Sequence, residues 1–271
     1  MKTRLITAGI LVPLLLIMVL GLPEIVTAVV MGLLLAVGAY ELLMVTNLVK
    51  HTRLVIYAMI FSFLVSLWSH FGMDYGWGIL GLLAFFAVLF GEMMRDHVKI
   101  SFDMLAMTFV AGVLLPFLLS AVVRIQAMRL GRQFVMVPFV MALMPDSGAY
   151  FAGMAFGQHK LAPVISPKKT VEGMIGGVLT GMLSMVIYAL ILQLGFSLKV
   201  NYMYALVYGF VGALAATFGD LCFSVIKRQT GIKDYGSIFP GHGGILDRFD
   251  SMVIVAPLAE ALLWMIPLAG V

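Results

Sequence analysis

Three stretches of this chain hold residues whose types and spacing could do chemistry. In TFGDLCFSVIKR, Asp220, Ser224 and Lys227 stand at i, i+4 and i+7, so a helix puts them on one face. The residues between them are apolar, and a carboxylate in an apolar helix is costly enough that it faces a polar cavity or a partner. Taken alone, the run also reads as an Asp220–Lys227 pair that neutralises itself near the membrane surface. In PGHGGILDRFD, Gly241, Gly243 and Gly244 surround His242, and Asp247, Arg248 and Asp250 follow. Glycines permit positive φ and can turn backbone N–H groups toward an anion. Either aspartate alone reads as a helix N-cap, and Arg248 could pair with one of them or with a phosphate. The third stretch runs from Asp146 to Lys168 and Lys169, where Pro167 and Thr170 mark the start of a new helix. Lys168 and Lys169 read equally well as a basic anchor at the membrane surface, and His159 as an ordinary loop histidine.

Together these residues suggest more than each does alone. Carboxylates gathered at one depth repel unless a cation joins them. Oxygen ligands without a His/Cys cluster suit Mg²⁺ and not structural zinc. Basic residues beside them suit phosphate oxygens, and acids for metal with bases for phosphate equip a protein for phosphoryl or nucleotidyl transfer. On residue types alone, ion transport remains open.

The elements that must position these residues are membrane helices. The chain has 271 residues, 62% hydrophobic and 11% charged, where a soluble domain carries about 25% charged residues. Apolar segments near the length needed to cross a bilayer recur throughout. The spacing predicts an all-α polytopic membrane protein of nine helices, at about 4–21, 23–47, 54–71, 75–93, 101–124, 133–156, 171–196, 202–228 and 248–270. The sixth is interrupted by Pro138 and Pro145 and contains Asp146. Lys and Arg concentrate in alternate connections, which predicts a cytoplasmic N-terminus and an external C-terminus. Loops 157–170 and 228–247 then face the cytoplasm, around a polar cavity. Residues 1–130 read as packing and lipid-contacting helices with a possible role in dimerisation, and 131–271 as the catalytic part. The net charge of +4 comes mostly from the cytoplasmic side; it suits membrane orientation and anionic lipid head groups, not nucleic acid. The single Cys222 excludes an intrachain disulfide framework. Gly173, Gly177 and Gly181, four apart, allow close helix approach, within the chain or in a homodimer. Glu41 and Glu92 read as surface or interhelical residues.

The stretch SVIKRQTGIKDYGSIFPGHGGILDRFD, Ser224 to Asp250, resembles the signature of the phosphatidate cytidylyltransferases, also called CDP-diacylglycerol synthases. Its pattern is Ser-x-apolar-Lys-Arg, Lys-Asp, Pro-x-His-Gly-Gly and Asp-Arg-x-Asp at fixed gaps. The block FGQHKLAPVISPKKTVEG upstream is similar to the family as well, although Leu143 and Met154 stand where relatives often carry Trp and a basic residue. The resemblance implies transfer of the cytidylyl group of CTP to phosphatidate, giving CDP-diacylglycerol and pyrophosphate for phospholipid biosynthesis in the cell (inner) membrane. It implies Mg²⁺ at Asp220 and Asp247, with room for a second cation and with Asp146 and Asp250 as further ligands or orienting groups. Ser224 would support the metal or a phosphate. Lys227, Arg228 and Lys233 would face phosphates, and Lys168, Lys169 and Arg248 would bind substrate. His242 would donate a hydrogen bond to a phosphate, shuttle a proton, or stabilise the turn. A homodimer is favoured by the resemblance. The competing readings are a cation or proton transporter using Asp146, Asp220 and Asp247, and a CTP-dependent lipid kinase.

Overall fold

With no water to hydrogen-bond inside a bilayer, a chain this apolar satisfies its backbone within helices, and helices dominate. The computed structural model describes residue 13 and residues 15–72, 74–238 and 243–270. Seven helices among them are long and apolar enough to cross a membrane: α1 (Glu24–Val45), α2 (Thr52–His70), α3 (Tyr75–Arg95), α4 (Phe102–Gln126), α5 (Gly131–Phe156), α6 (Val171–Phe196) and α7 (Tyr202–Thr230). Two short helices follow, α8 (Leu246–Phe249) and α9 (Met252–Met265). The first expected segment, 4–21, lies mostly outside the described residues; its end is a π-helical turn, Ile17–Gly21. The last expected segment, 248–270, is divided, with Asp250 and Ser251 between α8 and α9. Pro145 does not break α5, which runs on through Asp146.

Loop 157–170 holds structure that a helix-period reading does not detect. Strands β1 (Lys160–Ala162) and β2 (Ser166–Thr170) form an antiparallel hairpin. Strands β3 (Lys199–Val200) and β4 (Ala269–Gly270) pair beside the end of the chain. Strands this short give little periodicity to read.

The chain divides into two compact units, Met1–Arg129 with Gln229–Phe249, and Leu130–Arg228 with Asp250–Val271. In the first, small and hydroxyl-bearing residues knit α1, α2 and α4. The Ser66 hydroxyl donates to the Ala28 carbonyl at 2.8 Å, and that of Ser62 to Ala58 at 2.7 Å and Ala111 at 3.1 Å. A Cβ on Gly112 would stand 2.9 Å from Phe85 and 3.1 Å from the Ala58 backbone. By contrast, α3 buries only Phe85 and Leu89 fully and turns most of its apolar side chains outward, as lipid contact allows.

In the second unit α5 and α6 pack backbone to backbone. A Cβ on Gly173 would stand 2.9 Å from the Ala149 carbonyl, one on Gly177 2.9 Å from the Pro145 carbonyl, and one on Gly181 2.9 Å from the Gly209 carbonyl of α7. The glycine stripe is thus consumed by packing within the unit. Helix α7 has 29 residues, about 44 Å at 1.5 Å per residue, against a hydrocarbon core of about 30 Å. The surplus of about 14 Å is the length of nine or ten residues, and the basic pair Lys227 and Arg228 lies in the last turn. Gly177→Val should push α5 and α6 apart, cost about 1–3 kcal/mol as overpacking does, and lower the unfolding temperature of the purified protein. An unchanged temperature in a thermal-shift measurement would contradict this packing.

Candidate active site

The acidic cluster of the second unit is built by α7, the β1–β2 hairpin and the turn before α9. Gly219 precedes Asp220, and a Cβ there would stand 2.9 Å from the Asp250 carbonyl and 3.0 Å from Ser251 Cα. The missing side chain lets the turn approach α7, and Asp250 comes within electrostatic reach of Asp220. Carboxylates brought this close repel unless a cation offsets them. Asp250 is fixed further by the Ser251 N–H, which donates to its Oδ1 at 2.8 Å.

The hairpin supplies the cation. Along β2 Lys168 is exposed, whereas Lys169 is half-buried. The Lys169 ammonium pairs with Asp220 Oδ2 and reaches the Thr217 carbonyl at 3.4 Å. Asp146, on α5, lies within electrostatic reach of both Lys169 and Asp220, and Lys227 within reach of Asp250. Of the residues expected from sequence, Asp146, Lys169, Asp220, Lys227 and Asp250 are thus brought together. Ser224 is buried one turn beyond Asp220.

Several ties hold the hairpin in place. The Thr170 hydroxyl caps α6 by accepting from the Gly173 N–H at 3.1 Å. Glu172 accepts from the Gln158 N–H at 3.1 Å and the His159 N–H at 3.2 Å, and its Oε1 meets His159 Nδ1 at 2.6 Å. His159 therefore fastens the base of the hairpin. Arg228 donates its Nε–H to the Ile165 carbonyl at 3.0 Å, near the hairpin tip. At least one edge of the Arg228 guanidinium is thus structural.

In the first unit, the loop between α7 and α8 closes on two acids. Asp247 is buried, and its Oδ2 accepts the N–H groups of Tyr235 at 2.7 Å and Gly244 at 3.0 Å. Gly243 has φ +82 and no space for a Cβ beside Asp247, so both its conformation and its surroundings call for glycine. Glu41, from α1, accepts the Ile245 and Leu246 N–H groups, both at 2.9 Å. Its partners are loop backbone, a role that reading it as a surface or interhelical residue missed. Nothing local to α1 marks Glu41 for this, because its partners lie some two hundred residues on. Lys233 and Arg248 are exposed. His242 lies outside the described residues.

Among the described residues no three His, Cys, Asp or Glu side chains gather as a metal-binding group. Mg²⁺ does not require one, since it commonly takes one or two carboxylates and completes its shell with water and substrate phosphates. The Asp220–Asp250 pair, hard oxygen donors with basic neighbours, fits that demand.

The pattern of the cytidylyltransferase family matches residues 2–266. A phosphatidate cytidylyltransferase of Bacillus subtilis is 35% identical over 97% of this chain and 97% of its own length. Others from Staphylococcus epidermidis and Staphylococcus aureus are 44% and 42% identical over 49% of this chain, and that match spans only about half (50%) of each staphylococcal protein. The chain belongs to the cytidylyltransferase family.

Proposed function

We propose that the protein transfers the cytidylyl group of CTP to phosphatidate, forming CDP-diacylglycerol and pyrophosphate. The observation that carries this reading is the Lys169–Asp220 ion pair with Asp250 within electrostatic reach of Asp220, in a chain similar along nearly its whole length to a phosphatidate cytidylyltransferase. An oxygen of the phosphatidate phosphate bonds to the α-phosphorus of CTP, and the bond from that phosphorus to the bridging oxygen breaks as pyrophosphate leaves. The lipid phosphate is already anionic near neutral pH, so the chain need not supply a strong base. Its task is to bring two anions together and offset their charge.

In this reading Asp220 and Asp250 would hold Mg²⁺ with Asp146 beside them; Asp247, the other ligand that the family resemblance implies, and a second cation belong to the same proposal. When bound, the metal supplies charge neutralisation on the phosphate oxygens. Ser224 supports the metal or a phosphate. Lys169, Lys227, Arg228 and Lys233 offset phosphate charge, with Lys168 and Arg248 at the rim, and His242 donates to a phosphate. Phosphatidate enters sideways from the bilayer and CTP from the cytoplasm. The active site faces the cytoplasm of the cell membrane in a nine-helix chain, N-terminus in and C-terminus out. A homodimer belongs to the proposal on family likeness alone.

CTP labelled at the α-phosphate should carry its label into lipid, and CTP labelled at the γ-phosphate should not. Label from the γ-position would mean a lipid kinase, and label from neither would contradict lipid modification by CTP. Asp220→Ala and Asp247→Ala should each lower transfer by at least about a hundredfold while the chain still inserts in the membrane; near-normal turnover in the purified variants would refute their roles. A reporter fused after the last residue should be found outside the cell, and a cytoplasmic reporter would refute the nine-helix topology.

A further inference from the structure

Glu41 is 1% exposed, more buried than Asp247 at 8%. It opens a π-helical turn, Glu41–Val45, at the end of α1, a distortion that recurs at functional positions. Both of its oxygens are committed to consecutive backbone donors, Oε1 to Ile245 and Oε2 to Leu246. Gly236 and Gly244 pack against the same carboxylate, and neither has room for a Cβ. The Asp247 carboxylate meanwhile accepts from Tyr235 and Gly244. Two acids thus gather four N–H groups from both arms of one loop.

Packing alone does not account for an acid here. An apolar side chain could fill the same volume without the cost of burying a charge. What a carboxylate adds is direction, since its two oxygens fix two successive N–H groups at once. The next residue in the chain is Asp247, and Arg248 follows.

The geometry points to Glu41 as a positioning residue for cytidylyl transfer, one that sets the place of Asp247 and Arg248 by holding the N–H groups of Ile245 and Leu246 just before them; this rests on the reaction proposed above. It does not touch substrate and acts through the loop.

The test uses the purified full-length protein in phosphatidate-containing micelles, with Glu41→Gln and Glu41→Asp. Turnover and KM are read with α-labelled CTP, fold by circular dichroism, and the loop by the rate of trypsin cleavage after the exposed Lys233. Glu41→Gln presents an amide donor to a backbone donor. It should lower kcat at least about tenfold, as small misplacements of reacting groups do, leave the KM for phosphatidate unchanged, and speed cleavage after Lys233. Glu41→Asp, which keeps both acceptors, should recover part of each effect. Wild-type turnover in a folded Glu41→Gln protein would overturn the proposal, and so would lost turnover with an unchanged cleavage rate. If Glu41→Gln does not fold, Glu41→Asp is read by the same criteria, and failure of both to fold would make Glu41 a stability residue and overturn the proposal. If the wild-type protein transfers no cytidylyl group, the reaction reading fails, and the trypsin arm still decides whether Glu41 holds the loop.

Discussion

Acidic side chains drawn close on an apolar helix bundle are the constraint around which the second unit is arranged. Charge placed in an apolar bundle costs several kcal/mol per ion unless it is paired, and like charges nearby raise that cost. Gly219 lets the turn before α9 reach α7, which brings Asp250 within electrostatic reach of Asp220. Lys169 offsets the charge from the opposite side, and it stands there because the β1–β2 hairpin is tied by Glu172, Thr170 and Arg228. The close α5–α6 packing at Gly173 and Gly177 positions α6, at whose start the hairpin is rooted.

The first unit meets the same difficulty by other means. Glu41 and Asp247 are buried, and backbone N–H groups of the α7–α8 loop donate to both. The bonds act in both directions, stabilising the acids and fixing the loop.

Much of this was legible in the sequence, because apolar length and basic connections are strong signals. The extents of α3, α6 and α7 follow from them to within two residues. The i, i+4, i+7 spacing marked the Asp220 face, and the cost of a membrane carboxylate marked it as more than packing. The hairpin was not legible, since strands of three and five residues carry too little alternation. Nor was Glu41, whose reason for being acidic lies at Ile245 and Leu246 and not in its neighbours. Asp250 read as a cap because it stands at the expected start of the last helix, and only the fold brings it toward Asp220. Spacing along the chain reports what one helix can align, and carries no information on what a distant turn will deliver.

A divalent-cation site shared by Asp220 and Asp250, as proposed, is open to direct measurement. Binding of Mn²⁺ to the purified protein, followed by electron paramagnetic resonance and competed with Mg²⁺, tests it without reference to turnover. The account predicts saturable binding by the wild-type protein that is lost in both Asp220→Asn and Asp250→Asn. Wild-type binding in either folded variant would contradict it.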